Sequence, residues 1–314
     1  MRERETQYRS RPGVRRPPLP LRRLRTFQSL LAAAVLVALL GGACGGGNGD
    51  EPPAAQLRAV ASLEIFADFV RQAGGDRVAV VTLLPSGADP HTYELPARRV
   101  ADIARADLVF INGLGLEQSI GGVIDSNADG PVLELTDGLE TIGGNPHLWL
   151  NAQLAARYVE RIRDALIEQD PEGRDSYEAN TAAYLRDLDE LDREVAAAVE
   201  SIPAENRALV TFHDAFPYLA SRYGLEIVAV VVPSPGQEPS AQDVAELVEI
   251  LQSRGVPAVF KEPQFSATVL ELAADDAGVR VLDLLSDAYT DGVGSYMELM
   301  RFNLRQLQEG LGGD

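Results

Sequence analysis

VAVVTLLPSGADPHTYEL, Val78 to Leu95, joins two halves of opposite character. Its first half, VAVVTLLP, is an unbroken apolar run of strand length, which predicts a strand of a parallel sheet buried on both faces. Its second half is a turn-rich loop at that strand's C-terminal end, the edge where open α/β sheets bind ligands. Pro90 fixes its own φ and holds Asp89 extended, so His91 leaves the backbone on a stiff mount. The 314 residues include only three histidines. His147 sits in a second X-Pro-His, within GGNPHLWLN, and His213 lies in VTFHDAFPYLA. One such histidine alone reads as a hydrogen-bonded or surface residue; three in these contexts point to one shared site.

Outward from that stretch the pattern repeats. Leu57 to Val60 reads as a strand, ASLEIFADFVRQAGG as a helix stopped at Gly74-Gly75, ARRVADIARA as a helix, DLVFING as a strand, GLEQSIGGVIDS as a helix and VLELTDG as a strand. LAARYVERIRDALIEQ forms a helix that Asp170-Pro171 breaks. A longer helix follows from near Glu172 to about Ser201, on the order of 45 Å long at about 1.5 Å per residue. Tyr177, Tyr184, Leu191 and Ala198 recur at heptad spacing, as do Thr181, Leu188, Val195 and Ile202, which marks one apolar face. Packing within the chain is expected for that face, against the alternative of a coiled-coil partner. After Pro203 the alternation resumes in ALVTFHDA, FPYLASRYG, LEIVAVVV, SAQDVAELVEILQSRG, PAVFKEP, SATVLELAADDAG and VRVLDLL, and SYMELMRFNLRQLQEGL closes it. Ser240 with Asp243 reads as an N-terminal cap. The fold class is α/β: two similar lobes with parallel sheets flanked by helices, joined by one long helix.

The N-terminus is of a different kind. An arginine-rich segment precedes the apolar run Leu30 to Ala43, too short for a membrane span but suited to a signal peptide, and the single cysteine, Cys44, follows at once. The pattern resembles a lipoprotein signal, with Leu40 one residue earlier than usual and Gly41 in its place, so Cys44 is expected to be the lipidated first residue of the mature chain. The alternatives are an uncleaved anchor or a free buried thiol. The division expected is residues 1–43 as signal peptide, 44–55 as flexible tether, 56–170 as first lobe, 171–202 as linking helix and 203–314 as second lobe. With one cysteine, no intramolecular disulfide can form. Residues 1–43 carry nine Arg and two Glu, so removing them takes the formal charge from −19 to −26. A body of that charge repels nucleic acid and is compatible with a cationic ligand, although solubility alone accounts for most of it.

ADPHTYEL, NPHLWL, FHDAFPYLA, EPSAQDVAELVEILQSRGV, FKEPQFS, and LSDAY followed by SYMELMRFNL occur in this order. Together they resemble the ZnuA/TroA-like solute-binding lipoproteins of bacterial zinc and manganese ABC transporters, over about Val60 to Leu311. The resemblance implies a metal in the cleft between the lobes, held by His91 and His147 from the first and by His213 and Asp287 from the second. The spacing from Asp287 to Tyr296 is shorter than in many relatives, which keeps Asp283, in VLDLL, as an alternative fourth ligand. Asp89, Asn145, Trp149 and Glu262 are expected just behind the ligands, with Tyr93 and Glu94 beside them. Asn145 departs from the family's Asp-Pro-His and brings no charge. The His- and Asp-rich loop of some zinc-specific relatives is absent, since only ETIGGN separates Leu139 from Pro146.

Three imidazoles and a carboxylate suit Zn2+ in a tetrahedral site, with Mn2+ as the alternative because it prefers more oxygen. The expected function is extracytoplasmic capture of that ion by a lipid-anchored monomer and delivery to a membrane permease, without catalysis. Two other readings stand beside it. A zinc hydrolase would need an open coordination position and a base, for which Glu262 is the candidate. An adhesin-type surface lipoprotein would need a partner surface, and no segment singles one out.

Overall fold

The computed structural model describes residues 57–232, 236–237 and 239–312, so the expected signal peptide, tether and Cys44 lie outside the described residues. Strands β1 (Leu57–Ala61), β2 (Val78–Thr82), β3 (Leu108–Ile111) and β4 (Val132–Glu134) form a parallel sheet in the order β2-β1-β3-β4. Helices α1 (Glu64–Gly74), α2 (Ala97–Ala104) and α3 (Gly121–Asn127) connect them. The second sheet repeats the plan: β5 (Ala208–His213), β6 (Glu226–Val232), β7 (Ala258–Lys261) and β8 (Arg280–Asp283) run parallel in the order β6-β5-β7-β8. Its helices are α6 (Pro217–Tyr223), α7 (Ala241–Arg254), α8 (Thr268–Ala277) and α9 (Tyr296–Leu311). Between the sheets lie α4 (Ala152–Gln169) and α5 (Arg174–Glu200). In both sheets the first strand lies between the second and third, so the C-terminal strand ends share one topological switch point per lobe.

Two expectations change. Among the described residues the apolar run at Val78 is an edge strand that pairs only with β1, and Ala79 is exposed while Val80 and Val81 are half-buried. An apolar run reports strand propensity and one covered face, and edge position is set by neighbours that the run does not encode. GLEQSIGGVIDS is helical only from Gly121. Gly113, Leu114 and Gly115 have φ of 88°, 53° and 79°, a left-handed run that no helix can contain. The buried carboxylate of Glu117 fastens this turn, accepting from Asn112 N at 2.7 Å, Gly113 N at 3.2 Å and the Ser62 hydroxyl at 2.7 Å.

Helix α5 follows a 3-10 turn at Pro171–Gly173 and spans 27 residues, about 40 Å. Tyr177, Thr181, Tyr184, Leu188, Leu191 and Val195 are buried, so the expected apolar face is used within the chain, against α1, α4 and α9. Asp192, also buried, accepts from Arg222 through both carboxylate oxygens, from the Tyr223 hydroxyl at 3.0 Å and from the Gln153 amide at 3.2 Å. One α5 carboxylate therefore joins α4 to α6. The Ser240–Asp243 capping box at the start of α7 is present as expected.

One apolar core runs through both halves, from Phe66, Phe69 and Trp149 to Phe216, Leu284 and Tyr296. A smaller one, around Val210, Leu247, Leu251 and Leu270, belongs to the second sheet. Among the described residues no helix is long and apolar enough to cross a membrane.

Candidate metal centre

His91 stands in the loop after β2. Asp89 shapes that loop, accepting from the His91 N–H at 2.9 Å and from the Thr92 hydroxyl at 2.5 Å, a side-chain turn that Pro90 leaves little freedom to unwind. His147 precedes the 3-10 turn Leu148–Leu150. Asn145 Oδ1 accepts from His147 N at 3.0 Å and meets His147 Nδ1 at 2.9 Å. Asn112 steadies the same segment by donating to Pro146 O at 2.9 Å, while its own side-chain oxygen accepts from the Tyr158 hydroxyl at 2.7 Å.

From the second lobe, His213 is the last residue of β5, and its Nδ1 lies 2.5 Å from Glu262 Oε1, just past β7. The Ser286 hydroxyl donates to the same oxygen at 3.1 Å. Asp287 follows in the loop after β8, fully enclosed, and the Trp149 indole N–H fixes that loop by donating to Ser286 O at 2.9 Å. The Tyr296 hydroxyl in turn donates to Trp149 O at 2.6 Å.

These four side chains meet. The Nε2 atoms of His147 and His213 are 3.3 Å apart, His147 Nε2 is 3.2 Å from Asp287 Oδ1, and His91 Nε2 is 4.0 Å from Asp287 Oδ2. One ligand atom from each of the four lies within 4.8 Å of all the others, so the group could hold a metal ion. Asn145 and Glu262 accept at Nδ1, so each of their imidazoles carries its proton there and turns a lone pair inward from Nε2. Buried lone pairs then face one another and a carboxylate. His91 Nε2 and both Asp287 oxygens are buried without a hydrogen-bond partner. An arrangement of acceptors with no donor is costly unless a cation sits among them, and nitrogen with carboxylate oxygen is the donor set of a transition metal.

Titration directions follow from the same surroundings. Burial holds the His91 imidazole below its ordinary range against the pull of Asp287, and does the same to His147. Burial also works against a charged His213, but the Glu262 carboxylate overrides it and raises that pKa. Burial pushes Glu262 up, partly offset by His213. Asp287 lies well below the usual carboxylate range: burial opposes this, and the surrounding imidazoles overcome it, His147 foremost.

The structure thus brings His91, His147, His213 and Asp287 together and leaves Asp283 out. Asp283 ends β8 in register with Lys261, and its N–H donates to Gln306 at 3.3 Å. Asn145, Trp149, Glu262 and Asp89 lie directly behind these four side chains or the loops that carry them. Glu94 is exposed, and Tyr93 packs half-buried against the main core. Three further residues went unassigned in the sequence. They are Ser286, Tyr296 and Tyr218, whose hydroxyl donates to Asn145 O at 2.7 Å. Each stands inside a quoted segment, but a Ser or Tyr hydroxyl carries no spacing signal of its own.

Residues 59–310 match the family described as ZnuA, zinc-uptake complex component A, periplasmic. The manganese-binding lipoprotein MntA of Halalkalibacterium halodurans is 31% identical over 268 residues, covering 81% of this chain and 88% of that protein. The manganese ABC transporter substrate-binding lipoprotein PsaA of Streptococcus pneumoniae is 31% identical over 281 residues, covering 82% and 89%. The periplasmic zinc-binding protein TroA from Treponema pallidum shares the fold with a TM-score of 0.76 at 28% identity, covering 82% of this chain and 100% of that one. With four-fifths of its length matched and its repeated parallel sheets joined through a long helix, the chain belongs to the ZnuA family of metal-binding components.

Proposed function

We propose that this protein captures a divalent transition metal outside the cytoplasm and delivers it to the permease of an ABC transporter. The carrying observation is the cluster of ligand-type atoms from His91, His147, His213 and Asp287, drawn from both lobes, in which His91 Nε2 and both Asp287 oxygens are buried without a hydrogen-bond partner. The names of MntA, PsaA and TroA support the same reading. Zn2+ is the ion inferred, because three imidazole nitrogens dominate the set, and Mn2+ is the competitor. Residues 56–170 and 203–314 act as the lobes, 171–202 links them, and lipidated Cys44 tethers a monomer to the membrane, as the relatives described as lipoproteins suggest.

A hydrolytic role is less supported. Glu262, the one base candidate, is engaged by His213 and Ser286, and it faces the imidazole at Nδ1, away from Nε2. The chain is therefore read as a carrier rather than an enzyme.

The test is zinc loading of the metal-free protein followed by dialysis and metal analysis. About one ion per chain is expected, lost in His91→Ala and His213→Ala. No retained metal, or unchanged retention in both variants, would overturn the reading. Competitive zinc and manganese titrations decide the ion.

A further inference from the structure

Asn145 does more than orient His147. Its side-chain oxygen accepts from the His147 backbone and faces Nδ1, while its Nδ2 donates across the cleft to Asp214 O at 2.6 Å. Asp214 is the residue after His213. A single amide thus links a ligand of the first lobe to the backbone beside a ligand of the second. The Tyr218 hydroxyl completes the tie: α6 of the second lobe holds Asn145 O at 2.7 Å and accepts from Ile142 N at 3.0 Å.

We propose that Asn145 is a positioning residue that couples the two half-sites and slows release of the bound ion. The inference rests on the metal-centre reading above. It also explains why an amide serves here where the resemblance leads one to expect a carboxylate. An aspartate could still accept at His147, but its second oxygen would meet the Asp214 carbonyl, acceptor against acceptor, and the link between lobes would be lost.

Asn145→Asp separates the two jobs, because it keeps the acceptor for His147 and removes the donor to Asp214. The added carboxylate behind His147 would by itself slow release by more than one lost hydrogen bond speeds it, so this variant is read by exchange in the metal-free chain and not by release. Amide hydrogen exchange over residues 213–218 is expected to rise in metal-free Asn145→Asp. Tyr218→Phe leaves the site side chains, Asn145 and the local charge in place while removing the hydroxyl that holds Asn145 O. In a stopped-flow chase of zinc-loaded protein with excess chelator, Tyr218→Phe is expected to release zinc about threefold to tenfold faster, the range one net hydrogen bond supports. Release as slow as wild type or slower in Tyr218→Phe, or unchanged exchange protection over 213–218 in both variants, would overturn the proposal. If wild type takes up no zinc, the metal-centre reading falls, and exchange in the metal-free chains still decides whether the tie exists.

Discussion

Glu262→Gln is the most informative single change at this site. Glu262 and His213 are both buried, at 0% and 1% exposure, and the contact between them is 2.5 Å. Glutamine keeps an oxygen that can accept from His213 Nδ1 and from Ser286, so shape and hydrogen-bond count are preserved and only the charge is removed. A hydrogen bond to a charged group contributes about 1.5–3 kcal/mol against about 0.5–1.5 for a neutral one, so roughly 1–1.5 kcal/mol is at stake in ligand orientation and basicity. Changing a group that hydrogen-bonds a metal-ligating histidine typically weakens metal affinity about 10- to 100-fold; with roughly 1–1.5 kcal/mol at stake here, the zinc dissociation constant at pH 8 is expected to rise about tenfold.

The pH profile gives the same change a second signature. Glu262 raises the His213 pKa, so in wild type a proton competes with the metal for this imidazole up to a higher pH. Glutamine withdraws that support, and the proton leaves at lower pH. Between pH 8 and pH 6 wild type should lose more affinity than the variant, and the gap between them should narrow. Competition against a chromogenic chelator at stepped pH reads both effects. A dissociation constant within twofold of wild type at pH 8, or a gap that widens toward pH 6, would rule out this role for the Glu262 charge.

Three other outcomes are expected. Burial keeps His147 neutral in the fold while an unfolded imidazole takes up a proton below about 6.5, so this residue costs stability as pH falls through that window. In metal-free His147→Gln the decline from pH 7 to pH 5 should be shallower, by at most about 1.4 kcal/mol per pH unit for one proton; a steeper decline in thermal unfolding would refute this. Asp192→Ala leaves Arg222, Tyr223 and Gln153 without their acceptor and should cost about 2 kcal/mol in denaturant unfolding, discounted because Arg222 is part-exposed. Trp149→Phe strips the donor from the enclosed Ser286 carbonyl and should cost about 1–3 kcal/mol of stability while speeding zinc loss, read by calorimetry and a chelator chase.

What was legible in the sequence depended on whether a signal was local. The two X-Pro-His motifs and the scarcity of histidine marked His91, His147 and His213 before any fold was known, and the Ser240 cap and the α5 face follow from spacing along one helix. Asp287 needed the family's motif order, because a Ser-Asp in a loop also reads as a turn, and only the fold separates it from Asp283. The edge position of β2 was hidden because exposure there depends on the absence of a neighbouring strand. The reach of Asn145 to Asp214 was invisible for a related reason: its partner is a backbone carbonyl, identical at every residue, brought near by tertiary structure alone.

The two lobes also contribute differently to the charge of the site. Within the first lobe, the side chain behind His147 is the neutral Asn145 amide, and the Asp89 carboxylate is taken up by the His91 backbone N–H and the Thr92 hydroxyl. The second lobe brings both enclosed carboxylates, Asp287 among the ligand atoms and Glu262 behind His213. Two negative charges balance a divalent ion, and in a dry cleft that balance governs where the ion can rest. If the lobes part, His91 and His147 withdraw neutral donors while Asp287 and Glu262 stay with the ion. On the proposed reading, opening would leave the ion with His213 and Asp287 of the second lobe. The Asn145 link to Asp214 spans the same gap, so on the proposed reading it adds the cost of one hydrogen bond to that separation.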